Sequence, residues 1–258
     1  ILIFYNFART IDNIADSPVL SDQEKLRKLD GFHLALRGKA HDSYYQSATK
    51  LRQTNLNVGI NEDYAFSLIE AFRQDVIKSR YNSWDELIEY CMISAAPVGR
   101  FLLDLYNVEH KYFEFSDPLC CALQIINHLQ DCKEDYLLLD RVYLPLELMD
   151  SVGAKITMLS NEASSPEIRA VVDNMLGCTE DLLKASKPLA KKIIYSNVSL
   201  QAKRLSLEVA VIQEVATTLV YKLHRMDPLE RNIILGKSRT MLCFFSGLIR
   251  GLLALRGL

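Results

Sequence analysis

Apolar residues recur every three or four positions along most of this chain, and short polar breaks separate the runs. That is the pattern of amphipathic helices; no stretch shows the alternation of a half-buried strand. Ser21 to Leu36 reads as a helix, capped by Ser21 with Glu24 in capping-box position and apolar at Leu26, Leu29, Phe32 and Leu36. Ala40 to about Gln53 continues in helix, and Thr54–Gly59 reads as a loop. Asn61 to Lys78 follows as a further helix. Ser83 and Glu86 have capping-box spacing for a helix running to about Ala95, where Ala95–Gly99, with Pro97, breaks it. Ser116-Asp117-Pro118 reads as a helix start. That helix is expected to run unbroken through Asn127 to Tyr136. A short helix and loop are expected over Leu146–Ser160. A long helix runs from Ser165-Pro166 towards Ile194, bent near Pro188, and others span Ser199–Arg225 and Arg239–Leu255. The expectation is an all-α fold: one domain over residues 1–258, a bundle of about ten helices.

Composition narrows the picture. The chain has 258 residues, 49% of them hydrophobic and 24% charged, with a net charge of −2. This is a globular composition, and no bulk positive field favours nucleic acid. The six cysteines have no C-x-x-C spacing and sit in apolar runs, so they read as reduced core thiols of a cytoplasmic protein. No G-x-G-x-x-G or P-loop occurs. The apolar run after Arg239 is too short, and too interrupted by Arg250, to span a bilayer; a core helix and a peripheral membrane contact are the two readings.

The chemistry is concentrated in two acidic stretches. Asp131 and Asp135 are four residues apart, and Asn127 is four before Asp131. On a helix these stack on one face, about 6 Å apart along the axis. Like charges so placed destabilise a helix by about 0.2–0.5 kcal/mol, and a hard cation with oxygen ligands would offset that. A solvated acidic face is the alternative. The pattern recurs, however: Asp12 and Asp16 are four apart, with Arg9 three before Asp12. Two such helices facing each other would form a negative pocket suited to Mg²⁺ and a diphosphate, with Arg9 able to fork onto phosphate.

These motifs resemble those of the squalene/phytoene synthases, the head-to-head prenyltransferases. The matching stretches are Tyr5-x-x-x-Arg9-x-x-Asp12-x-x-x-Asp16, Gln74-Asp75-Val76 leading to Arg80-Tyr81, Leu123-Gln124-x-x-Asn127-x-x-x-Asp131-x-x-x-Asp135, and Arg141-Val142-Tyr143-Leu144-Pro145. Ser94-x-x-Pro97-Val98-Gly99-Arg100 is most similar to the bacterial hydroxysqualene synthase branch, although Ala96 stands where that branch often has Asn. Thr10 stands where carotenoid-branch members often carry a basic residue.

The resemblance implies an isoprenoid-synthase bundle around a central cavity. It implies Mg²⁺ held by Asp12, Asp16, Asn127, Asp131 and Asp135, and a prenyl diphosphate substrate bound by Tyr5, Arg9, Arg80, Gln124, Asn127, Arg141 and Tyr221. Tyr81 joins the aspartates as a catalytic candidate through its ring. Arg141 can reach the diphosphate or pair with Asp140 or Glu134. Arg231 and Lys237 lie where the family binds diphosphate, and the family carries a further substrate-binding helix ahead of the first acidic motif. The implied reaction joins two farnesyl diphosphates through presqualene diphosphate to hydroxysqualene. Phytoene or presqualene diphosphate synthesis, and a non-catalytic relative acting in assembly, stay open.

Overall fold

The structure is a computed structural model that describes residues 1–40, 42–196, 199–231 and 233–235. The expected helix Arg239–Leu255, together with Lys237 and Cys243, lies outside the described residues. In chain order the α-helices are α1 (Leu2–Ala15), α2 (Asp22–Leu36), α3 (Gln46–Val58), α4 (Asp63–Ile77), α5 (Trp84–Ser94), α6 (Ala96–Leu105), α7 (Phe113–Gln130), α8 (Cys132–Leu139), α9 (Leu146–Ser151), α10 (Pro166–Ser186), α11 (Leu189–Ser196) and α12 (Leu200–Leu223). Among the described residues no strand forms; a single parallel bridge pairs Arg80 with Val142.

Local chemistry explains most boundaries. Ser21 caps α2 through the Glu24 amide, and Glu24 bonds back to the Ser21 amide at 2.9 Å, which completes the capping box. Ser83, Ser165 and Ser199 cap α5, α10 and α12 by accepting the amides of Glu86, Ile168 and Ala202. α3 continues past Thr54 to Val58 and stops at Gly59, whose φ of 73° glycine adopts without strain. Helix thus replaces the expected Thr54–Gly59 loop, and Gly59 alone is the punctuation. Pro188 separates α10 from α11.

Further expectations are corrected: the helix expected from Ala40 starts only at Gln46, after a single 3-10 turn over Ser43–Tyr45. α7 starts at Phe113, not at Ser116, and Pro118 lies inside it. The proline costs one bond to the Glu114 carbonyl. Burial of Leu119, Cys121, Ala122, Ile125, Ile126 and Leu129 along the same helix outweighs that loss. Nor is Asn127–Tyr136 one unbroken helix: α7 ends at Gln130, and Asp131 has φ −103° and ψ 7° at the junction with α8. The flanking bonds survive, Asp131 N–H to the Asn127 carbonyl at 2.9 Å and Asp135 N–H to the Asp131 carbonyl at 2.8 Å.

Two apolar cores organise the molecule. One gathers Phe4, Phe7 and Ile11 of α1, Leu29 and Phe32 of α2, Leu51 of α3 and Leu68 and Ile69 of α4. The other is built around α7, with Leu87 and Tyr90 of α5, Val172 and Met175 of α10 and Leu223 of α12. α4 belongs to both: Leu68 faces the first core and Ala71, one turn on, the second. The strip Ser79–Asn82 is laced to Val142–Glu147 by backbone bonds of 2.9 Å, including Val142 N–H to the Ser79 carbonyl and Leu146 N–H to the Tyr81 carbonyl.

Candidate active site

α1 is sharply two-sided. Phe4, Phe7, Ile11 and Ile14 are buried, and Tyr5, Arg9, Asp12 and Asp16 follow one another at helical spacing on the other side. Arg9 Nη1 lies 2.5 Å from Asp12 Oδ2. Partial burial raises the pKa of Asp12 above its ordinary value, the Asp16 charge raises it further, and Arg9 opposes both. The next partner comes from far along the chain: Arg141 Nη1 bonds Asp16 Oδ1 at 2.6 Å and Nη2 reaches the Ala15 carbonyl at 3.3 Å. Arg141 therefore pairs with Asp16, and neither Asp140 nor Glu134 is its hydrogen-bond partner. It is 7% exposed. Burial works against its charge, but the surrounding Tyr143, Asp75 and Asp16 hold its pKa raised.

The second acidic pair sits at the α7–α8 bend. Burial raises the pKa of Asp131, with Asp135 and then Glu134 adding to it, while His128 and a bond from Asn127 act in the opposite sense. His128 is buried beneath the pair. Its ring stacks on Tyr143 at 3.6 Å and 17°, and Nε2 lies 3.0 Å from Gln124 Nε2. Nδ1 lies 3.9 Å from Asp135 Oδ2.

A buried carboxylate that the motif reading left without a role lies between the two pairs. Asp75, on α4, accepts from the Tyr90 hydroxyl at 2.9 Å and the Tyr143 hydroxyl at 3.1 Å, and its own carbonyl accepts from Arg141 Nε at 3.1 Å. Burial raises its pKa and Arg141 opposes that. The signal was present in the sequence: Asp75 falls on the stripe of Ala65, Leu68 and Ala71, where a carboxylate has to find buried partners.

The remaining expected residues are placed as follows. Tyr5 and Tyr221 are 60% and 44% exposed, and the Arg225 guanidinium lies 4.1 Å from the Tyr221 ring. Tyr81 is enclosed, with Tyr143 stacked at 5.5 Å, Tyr90 at 5.3 Å and the Lys78 ammonium 4.6 Å from its ring. Arg80 binds the Asp140 carboxylate at 2.5 Å and also the Asp140 carbonyl, holding that residue at φ 51°. Arg231 lies 3.4 Å from Glu230. Among the described residues, no three His, Cys, Asp or Glu side chains converge closely enough to hold an ion unaided. The described cysteines, Cys91, Cys120, Cys121, Cys132 and Cys178, are free thiols.

The squalene/phytoene synthase family model matches residues 1–234. The chain belongs to this family. Its relatives include the hydroxysqualene synthase of Rhodopseudomonas palustris, 40% identical over 96% of this chain and 82% of that protein. Another is the hydroxysqualene synthase of Zymomonas mobilis, 37% identical over 93% of this chain and 79% of that protein. The crystal structure of a squalene synthase from Alicyclobacillus acidocaldarius superposes with a TM-score of 0.71 at 24% identity, over 86% of this chain and 81% of that one. A ligand-bound dehydrosqualene synthase superposes with a TM-score of 0.76 at 20% identity, over 96% and 84%. At those identities the superpositions speak for the all-α fold alone. Membership makes the protein a squalene/phytoene synthase-type enzyme, a head-to-head prenyltransferase. No described helix is long and apolar enough to cross a membrane.

Proposed function

We propose that this enzyme is a Mg²⁺-dependent hydroxysqualene synthase, acting on farnesyl diphosphate and presqualene diphosphate. The observation that carries the chemistry is the pair of acidic motifs, on different helices and different cores, joined through Arg141, whose side chain bonds Asp16 at 2.6 Å and whose backbone N–H bonds the Asp135 carbonyl at 3.0 Å. Asp12 and Asp131 both have raised pKa values, in part from the neighbouring carboxylate, so each pair favours a cation. The donors at hand are carboxylate and amide oxygens, which fit a hard ion that completes its shell with water and substrate phosphate. Asp12, Asp16, Asn127, Asp131 and Asp135 would hold Mg²⁺, which when bound supplies positive charge to a departing diphosphate. Arg9, with its side chain 61% exposed, is free to swing from Asp12 onto phosphate. Gln124, hydrogen-bonded to His128 at 3.0 Å, helps fix the orientation of that ring. Arg80 is already engaged by Asp140, so it serves the site by fixing the Asp140–Arg141 turn. Tyr5 is proposed to present its ring face to cationic intermediates, an interaction of roughly 0.5–1 kcal/mol for a ring as exposed as this one; the Tyr221 ring is already met by the Arg225 guanidinium. Tyr81 supports Tyr143 from behind. The product assignment rests on the hydroxysqualene synthases at 37–40% identity.

Product analysis tests this reading. Farnesyl diphosphate and presqualene diphosphate are supplied in separate reactions with Mg²⁺ and without a nicotinamide reductant. Hydroxysqualene is the expected product from presqualene diphosphate. Formation of presqualene diphosphate without alcohol would assign the enzyme to the earlier step, and no product from either would favour a non-catalytic role. Asp131→Ala combined with Asp135→Ala should abolish turnover with the helical circular dichroism retained; surviving turnover would refute the metal-site assignment.

A further inference from the structure

We propose that Asp75 is a positioning residue that holds the two acidic pairs at a fixed separation, acting through Arg141 on one side and Tyr143 on the other. The inference rests on the reading that these pairs hold Mg²⁺ and diphosphate, and it assigns a role to a residue that touches neither. Two routes leave Asp75. Its carbonyl accepts from Arg141 Nε at 3.1 Å, and Arg141 Nη1 ends on Asp16 at 2.6 Å. Its carboxylate accepts from the Tyr143 hydroxyl at 3.1 Å; the Tyr143 ring stacks on His128 at 3.6 Å, and His128 Nδ1 faces Asp135 at 3.9 Å. Every member between the end carboxylates is buried: Asp75 and Arg141 at 7% exposure, Tyr143 at 5% and His128 at 4%.

Burial matters because rigidity is what a positioning role requires. A metal–diphosphate assembly needs oxygens from both motifs at one spacing, and the motifs sit on helices of different cores. A carboxylate with two tyrosine donors in a dry seam has one low-energy geometry, because either donor left unmatched would be a buried unsatisfied group. The same carboxylate also offers an internal control. Tyr90 donates to Asp75 at 2.9 Å and is 3% exposed; its ring also packs on Tyr143 at 5.6 Å and on His128 at 6.1 Å, contacts that Tyr90→Phe keeps, so that variant reports on the loss of the hydroxyl alone.

The test compares Tyr143→Phe with Tyr90→Phe. Each removes one hydroxyl from the same buried carboxylate and keeps its ring, so both should lower the melting temperature by similar amounts. Binding of inorganic diphosphate in the presence of Mg²⁺, measured by titration calorimetry, should separate them. The expected result is about tenfold weaker binding for Tyr143→Phe, equivalent to ~1.4 kcal/mol, with Tyr90→Phe unchanged and Asp75→Asn weakened at least as much as Tyr143→Phe. Equal binding by wild type and Tyr143→Phe, or equal loss in both tyrosine variants, would reduce Asp75 to a core group and overturn the inference alone. A wild-type protein that binds no diphosphate with Mg²⁺ would overturn the proposed metal site and this inference with it.

Discussion

Asp131 shows what an acidic site costs a single residue. Its pKa is raised from the ordinary 3.8, first by burial, then by Asp135 and Glu134. The folded protein therefore binds this proton more readily than the unfolded chain does. Between 3.8 and the raised value, stability falls as pH rises; the penalty is absent below that window and complete above it. Asp131→Asn removes the ionising group and keeps an oxygen for the Asn127 bond. Without Mg²⁺, it should melt above wild type at pH 7, and the difference should close as the pH approaches 4. A difference that is constant across that range, or reversed, would show that the carboxylate is not under strain. This is the usual exchange of stability for function at a site. At this scale the aspartates could be read from spacing alone, but their partners could not. Arg141 meets Asp16 across 125 positions, and no local pattern announces a contact of that range.

At the scale of elements, the close approach of α6 and α7 makes a sharper demand than any cap. A Cβ on Gly99 would sit 2.5 Å from both Ser116 Oγ and Cys120 Sγ, whereas a Cβ on Gly177 in α10 would meet nothing within 4 Å. Both glycines are helical, so the same substitution should act with opposite sign. Gly99→Ala must displace the Ser116 hydroxyl and the Cys120 thiol from a packed interface and should destabilise by about 1–3 kcal/mol; Gly177→Ala should stabilise by roughly 0.5–1 kcal/mol through helix propensity. Chemical denaturation of the two variants checks both, and a stabilising Gly99→Ala would mean that α6 and α7 have room to spare. Elements were legible where a side chain bonds its own backbone, as at Ser21, Ser83 and Ser165. They were misread where packing overrides local preference. Pro118 looks like a first-turn proline, yet α7 begins five residues earlier because its buried stripe repays the lost bond. The bend at Asp131 was invisible for the converse reason: its flanking helical bonds are intact, so the residue pattern is that of an ordinary helix.

For the molecule as a whole, the consequence is that the two halves of the site belong to two cores. Asp12 and Asp16 ride on α1, packed in the first core; Asp131 and Asp135 follow α7, the centre of the second. α4 runs along the seam: its buried stripe passes from the first core at Leu68 to the second at Ala71, and Asp75 follows one turn later. A ligand that spans both acidic pairs therefore stabilises the association of the cores as well as its own contacts. Linkage gives about 2.7 kcal/mol at a ligand concentration one hundred times its Kd. Neither component should achieve this alone: Mg²⁺ meets at most two carboxylates on either side, and diphosphate without the metal meets four negative side chains. Differential scanning calorimetry should show a small shift with Mg²⁺, none or a slight decrease with diphosphate, and a large increase with both. If Mg²⁺ alone gave the full increase, the protein would hold the ion in a complete cage of its own, and the reading of an open site finished by substrate phosphate would be wrong. If both together gave no more than either alone, the acidic pairs would not be bridged, and their placement on opposite sides of the seam would have no bearing on catalysis.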